Sequence, residues 1–324
     1  MNRSLTPVLG ALCAAVLAAV AAPASAQSSV TVYGRLNDTI ERQETNNGTT
    51  KTTKTVLQNN SSRIGFKGTE DMGGGLKAGF VLEHGFNADT GAQSQSAFWA
   101  RQAEVNLSGA FGMIRLGQMT SEAYYATADY ISMHNHDTGT SSDALYAYVG
   151  RNSNKISYRL PEFSKGLSIE VGTALKEATA GAKDTVDVAV NYGIGPLAIG
   201  IGYEKNDKAN QFAVRGFYDL GNILLGAYIQ RDKDGYGSGL GNRTNYRLSG
   251  AYIMGASEFH LNYGHAGDYS NKSSSKADQF TVGYNYNLSK RTKVYGFYTK
   301  VDDSAAKVYG GDFNSIAIGI RHNF

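Results

Sequence analysis

The side chains with most chemistry gather in one stretch, TSEAYYATADYISMHNHDTGTSSDALYAYVGRNS, residues 120–153. Within it His134 and His136 stand one residue apart and Asp137 follows, ligand types that suit a zinc or nuclease centre. Such a centre needs a third protein ligand and usually a fourth, and the run offers no cysteine and no clear partner. A polar loop tip accounts for it without an ion. Hydrolysis would need a nucleophile, a histidine and an orienting carboxylate converging on one point. Of the six histidines, His84 and His260 fall on the apolar side of alternating segments, His265 ends such a segment, and His322 lies near the last residue. No G-x-S-x-G elbow accompanies them, so the chain reads as a non-enzyme that needs no cofactor and holds no metal. The glycines of Asp71-Met72-Gly73-Gly74-Gly75, and Gly237, Gly239 and Gly241, lead into neither GxGxxG nor a P-loop lysine. Tyr124, Tyr125, Tyr130, Tyr146 and Tyr148 offer either a stacking slide for sugars or rings that pack the stretch against a wall, and the sequence leaves both open.

The elements that must position these groups are read from period. VTVYGRLN sets Val30, Val32 and Leu36 against Tyr33, Arg35 and Asn37; RIGFKG sets Ile64 and Phe66 against Arg63 and Lys67. TVDVAVNY sets Val186, Val188, Val190 and Tyr192 against Asp187, Ala189 and Asn191. This is strand periodicity, and it recurs in about 16 segments along the chain. Tight turns such as Leu220-Gly221-Asn222 and Gly255-Ala256 alternate with longer polar loops at 43–54, 87–96, 120–153, 175–184, 204–209, 232–243, 267–276 and 302–311. Short turns at one end and long loops at the other describe an up-and-down barrel of outer-membrane type. The apolar side carries aromatics near segment ends, among them Trp99, Tyr192, Tyr203, Tyr252 and Tyr298, where an interfacial girdle requires them. Apolar faces then meet lipid and polar faces line a lumen, the reverse of a soluble sandwich. A sheet in lipid tolerates no open edge, so the last segment, SIAIGIRHNF, is expected to close on VTVYGRLN. A lumen ringed by about 16 strands is too wide for side chains to fill. Folding the 120–153 loop inward would narrow it.

Residues 1–26 read as a signal peptide: Arg3 is the positive end, Val8 to Ala22 the apolar stretch, and Ala24-Ser25-Ala26 the cleavage site. Residues 27–324 then form one domain with no cysteine, since Cys13 lies in the leader. The whole chain carries a formal charge of +3, and loss of Arg3 leaves +2, too mild an excess for a nucleic-acid binder.

The stretches VTVYGRLN (30–37), SSRIGFKGTEDMGGGLKAGFVLE (61–83), FWARQAEVNLSGAFGMIRLGQ (98–118) and NKISYRLPEF (154–163), with the terminal Phe324, together resemble the Gram-negative general porins, most closely the trimeric porins of β-proteobacteria. The resemblance covers the whole mature chain. It implies an all-β, 16-stranded antiparallel transmembrane barrel whose third extracellular loop folds inward as an eyelet. It also implies a homotrimer set among outer-membrane lipid and lipopolysaccharide, and an assembly machinery that reads the strand ending in Phe324. Ions and small hydrophilic solutes would pass by diffusion. Carried over residue by residue, the basic wall of the eyelet is Arg35, Arg63, both already turned inward by alternation, and Arg151 where the loop rejoins the wall. Where the family commonly has Arg after Gly, Gly117 is followed by Gln118, so one cationic rung is missing. The opposing acids would be Glu122 and Asp129, with Asp137 and Asp143 behind them. A channel selective for a sugar or an anion is the alternative, and a barrel enzyme stands further off.

Overall fold

The computed structural model describes residues 29–128, 131, 139–177 and 183–324. The expected leader at 1–26, and Asp129, Tyr130, His134, His136 and Asp137, lie outside the described residues. Before the long connection come β1 (Ser29–Asn46), β2 (Lys51–Asn59), β3 (Arg63–Gly73), β4 (Leu76–Gly85), β5 (Gln102–Gly109) and β6 (Gly112–Gln118). After it come β7 (Lys155–Arg159), β8 (Leu167–Ala174), β9 (Thr185–Ile194), β10 (Leu197–Asn206), β11 (Ala209–Asp219) and β12 (Ile223–Lys233). The chain finishes with β13 (Asn242–Met254), β14 (Ser257–Ala266), β15 (Ala277–Asn287), β16 (Thr292–Asp303) and β17 (Asp312–Asn323).

These 17 segments make 16 staves. β2 pairs with the Asp38–Asn46 half of β1 and β3 with its Ser29–Arg35 half, along the same side. The break between them holds Ser61 at φ +61°. Every other strand pairs antiparallel with its sequence neighbour, and β17 returns to β1, so the sheet is a closed barrel. Among the described residues no helix is long and apolar enough to cross a membrane; the crossing is made by strands.

The closing seam is shifted from the expected one. The last segment does pair with the first strand, but in register from Arg35↔Asn323 to Asn46↔Asp312, with Gly34 and Phe324 exchanging backbone hydrogen bonds at 3.0 and 3.1 Å. Ser29–Tyr33 therefore runs past the end of β17 and pairs only with β3. The stagger is what strand tilt imposes on a closing barrel. β1 and β2 also reach further than expected, leaving only 47–50 between them instead of 43–54. Their outer halves, rich in Thr, Gln and Lys, carry no apolar alternation, yet backbone pairing continues where both faces are wet.

Burial is inverted throughout. On β1 Glu41 is fully buried while Ile40 is 57% exposed, and Ile318 opposite Ile40 is 67% exposed. On β13 Arg243, Asn245 and Arg247 are buried while Tyr246 and Leu248 are exposed. Buried polar groups satisfy one another across strands, as where Thr281 and Thr299 hydroxyls meet at 2.7 Å. His260 is a correction to the sequence reading: Phe259 and Leu261 take the outer face of β14, and His260 turns inward beside Glu258, at 3.3 Å.

Candidate channel interior

One side of the inner face is basic. Arg35 and Arg63 are register partners on β1 and β3, so both sequence-predicted arginines project from the same face side by side. Like charges directly opposite repel, and Glu83 on β4 relieves this, 3.8 Å from Arg63 and 2.6 Å from Arg101. Arg35 donates from Nε to Asn323 Oδ1 at 3.3 Å. Along β17 the next inward position is Arg321, register partner of both Asn37 and Lys293. Arg63, Arg35, Arg321 and Lys293 thus form a row across β3, β1, β17 and β16. Alternation with Ile316, Ile318 and Ile320 was the available signal for Arg321, and alternation with Val294 that for Lys293.

The long connection meets the same buried face elsewhere. Helix α1 (Glu122–Thr127) begins at Ser121, whose Oγ accepts from Tyr124 N at 3.2 Å and donates to Glu204 of β10. Its seat is made of small residues. A methyl group on Gly200 would lie 1.8 Å from Ala126 O, one on Gly202 2.6 Å from Ala123 O, and Ala189 packs with Ala123 and Ala126. Beyond the helix, Thr140 Oγ1 donates to Glu41 at 2.8 Å, Ala144 N to Gln279 at 2.9 Å and Ala147 N to Gln230 at 2.8 Å. The wall's own amides and guanidiniums answer: Gln230, Asn245 and Arg243 donate to Ala147 O or Leu145 O at 2.8–2.9 Å.

The loop acids that the structure describes are paired with other cations than expected. Glu122 accepts from Arg159 at 3.1 Å, beside Arg115 and the acids Glu104 and Glu170. Burial pushes its carboxyl above the usual carboxylate range despite Arg159. Asp143 takes both Nε and Nη2 of Arg247 at 2.9 and 2.8 Å, the Tyr228 hydroxyl at 2.6 Å and Leu145 N at 2.8 Å. Burial alone would raise its pKa; the Arg247 guanidinium, the Tyr228 hydroxyl and the Leu145 amide outweigh burial and hold it below the usual range. Neither acid stands across from Arg35 and Arg63 as an isolated charge. Arg151 donates to Ala174 O at 2.5 Å, away from that pair, and Gln118 donates to Ala100 O at 2.8 Å. Gln118 is the register partner of Ala103 and so shares the outer-face parity of Leu116.

Tyr124 packs edge-on against Tyr146 and Tyr148, centroids 5.7 and 5.4 Å apart, and Tyr146 packs against Tyr228 at 5.4 Å. The rings thus spend their faces on one another and on the wall. At the outer mouth Arg243 is bonded to Asp232 at 2.7 Å and enclosed by Tyr236, Tyr269 and Tyr309 at 4.8–5.4 Å. Among the described residues no three His, Cys, Asp or Glu side chains meet to hold a metal.

A closed barrel with apolar residues outside and a charged, hydrogen-bonded interior defines a transmembrane channel protein of the outer-membrane type. The Gram-negative porin family matches residues 13–306, and the chain belongs to that family. Outer membrane porin protein 32 of Delftia acidovorans is 33% identical, over 96% of this chain and 98% of its own. Major outer membrane protein P.IB of Neisseria meningitidis serogroup B is 28% identical, over 95% and 98%. Among solved structures, an anion-selective porin from Comamonas acidovorans superposes with a TM-score of 0.74 at 27% identity, covering 92% of this chain and all of that one. Salmonella typhi OmpF has the same fold, with a TM-score of 0.74 at 20% identity over 91% and 97%. The chain is an outer-membrane porin of a Gram-negative bacterium.

Proposed function

We propose that residues 27–324, freed of a leader at 1–26, form a general diffusion channel for ions and small hydrophilic solutes, with no bond made or broken. The 120–153 loop lies inside the barrel and sets the aperture. The observation that carries this is the set of hydrogen bonds from 121–149 to the buried faces of β1, β10, β12, β13 and β15. Arg63, Arg35, Arg321 and Lys293 line the part of the wall that faces the remaining opening, and their excess over Glu83 and Glu258 favours anions. Screening over about 8 Å at physiological salt confines that preference to the stretch of lumen beside this row. The protein works as a homotrimer among lipid and lipopolysaccharide, and Phe324 serves the assembly machinery, as the resemblance to β-proteobacterial porins implies. Purified protein in a planar bilayer under a KCl gradient tests the reading. Conductance steps in groups of three with a reversal potential of anion-selective sign are expected. A silent bilayer from folded, heat-modifiable protein would overturn it.

A further inference from the structure

At the short-turn end a cavity of about 540 Å³ opens among the β15–β16 turn and the adjoining ends of β14, β16 and β17. Lys290, Arg291, Lys293 and Arg321 line it, against a single carboxylate, Glu258. Lys293 and Arg321 are register partners, so two cations stand together on the inner face. Arg35 supports the rim through Asn323, which also lines the cavity. Glu258 offsets only one of these charges: it is paired with Lys293 at 3.4 Å and accepts from Asn287 at 2.6 Å and Asn285 at 2.7 Å. Ser289 also lines it, its hydroxyl accepting from Arg291 N and Thr292 N at 3.2 and 3.0 Å. Four cations against one carboxylate, an excess of three positive charges, are the chemistry that recognises phosphate oxygens. The space exceeds what a chloride ion needs and admits a solute the size of a diphosphate.

We propose that this mouth binds a small soluble polyanion of the phosphate class, with Lys290, Arg291, Lys293 and Arg321 as its charged donors. The site deepens the channel reading, on which it rests only for the solute's route, and it loads solute at the short-turn side, remote from the loops. Inorganic pyrophosphate is the probe, titrated calorimetrically into the folded full chain in uncharged detergent at low ionic strength. One saturable site per chain is expected. Lys290→Gln combined with Arg291→Gln, both in an exposed turn, should weaken it at least about tenfold. Lys300→Gln, on β16 like Lys293 but at its loop end and paired with Asp302, should leave it unchanged. Absence of saturable binding, or equal affinity in the double variant, would overturn the site. So would phosphatidylglycerol doped into the micelle expelling pyrophosphate, because the occupant would then be a lipid headgroup. KCl conductance of the same preparation separates the two readings: binding without conductance keeps the site and removes the channel, and conductance without binding does the reverse.

Discussion

Replacing Asp143 by Asn tests how the loop is held. The carboxylate receives two guanidinium donors, a tyrosine hydroxyl and two backbone amides, and Arg247 is fully buried. The amide is isosteric but neutral: one carbonyl oxygen still accepts from the buried guanidinium beside Gln279 Oε1, at 2.5 Å, but no negative charge then faces Arg247. Breaking one partner of a buried ion pair costs about 3–5 kcal/mol, and Gln279 places the loss toward the lower figure. Each 1.4 kcal/mol is a factor of ten, so the docked loop should lose about two orders of magnitude in population relative to the undocked one. The barrel strands are untouched, and the opening is local rather than global. Hydrogen exchange should show this at the amides of Ala144 and Ala147, which donate to Gln279 and Gln230 when docked, while β13 stays protected. Single-channel records should become noisier. Adding Arg247→Met to the Asn variant should return part of the loss, since no orphan charge then remains. Unchanged exchange at those two amides would refute the pinning argument. Acid gives the same test without mutation. The docked carboxyl has the lower pKa, so its contribution is present above the undocked value near 4. It is lost as pH falls from there through the docked value, and loop noise should rise over that window.

Arg35→Ala with Arg63→Ala should shift the reversal potential toward cations with the barrel still folded; an unshifted potential would remove both from the selective part of the wall. Gly200→Val should lift helix α1 from its seat at an overpacking cost of about 1–3 kcal/mol, read as faster proteolysis within 120–153, whereas Gly193→Val, with open space around it, should not. Gly34→Val should hinder closure because the Phe324 ring lies 2.4 Å from where its first methyl would sit, seen as loss of the heat-modifiable band on a gel.

The strands were legible because period two depends only on which face meets lipid. VTVYGRLN and TVDVAVNY alternate without help from distant residues, and Arg35 and Arg63 could be turned inward by parity alone. What lay beyond reach was pairing between remote parts. Asp143 finds Arg247 more than a hundred residues on, and that meeting is decided by barrel closure and by the path of the loop, neither of which a local pattern encodes. Gly200 and Gly202 look like ordinary strand glycines until a helix backbone is laid over them. The seam slipped for a related reason: alternation fixes the face of a residue, while the stagger between first and last strands is a property of the whole cylinder. His260 went astray because Phe259, Leu261 and Tyr263 claim one parity, and only Glu258 and Asn262 beside it tell which side an imidazole joins.

Arg243 carries a consequence for communication between the cell exterior and the interior of the channel. Its guanidinium bonds Leu145 O of the long loop while its faces are covered by tyrosines from three surface loops. One buried cation therefore has two sets of clients. Anything outside the cell that draws the Tyr236 or Tyr309 loop away exposes the cation to water and cheapens its release of Leu145. By reciprocity, a solute that presses the long loop outward slackens the surface loops by the same free energy. The outer surface and the long loop are thermodynamically linked through Arg243 and through Tyr236, whose hydroxyl donates to Ala144 O and Tyr146 O at 2.7 and 3.1 Å, so Arg243→Gln should weaken the link and Arg243→Gln with Tyr236→Phe should weaken it further.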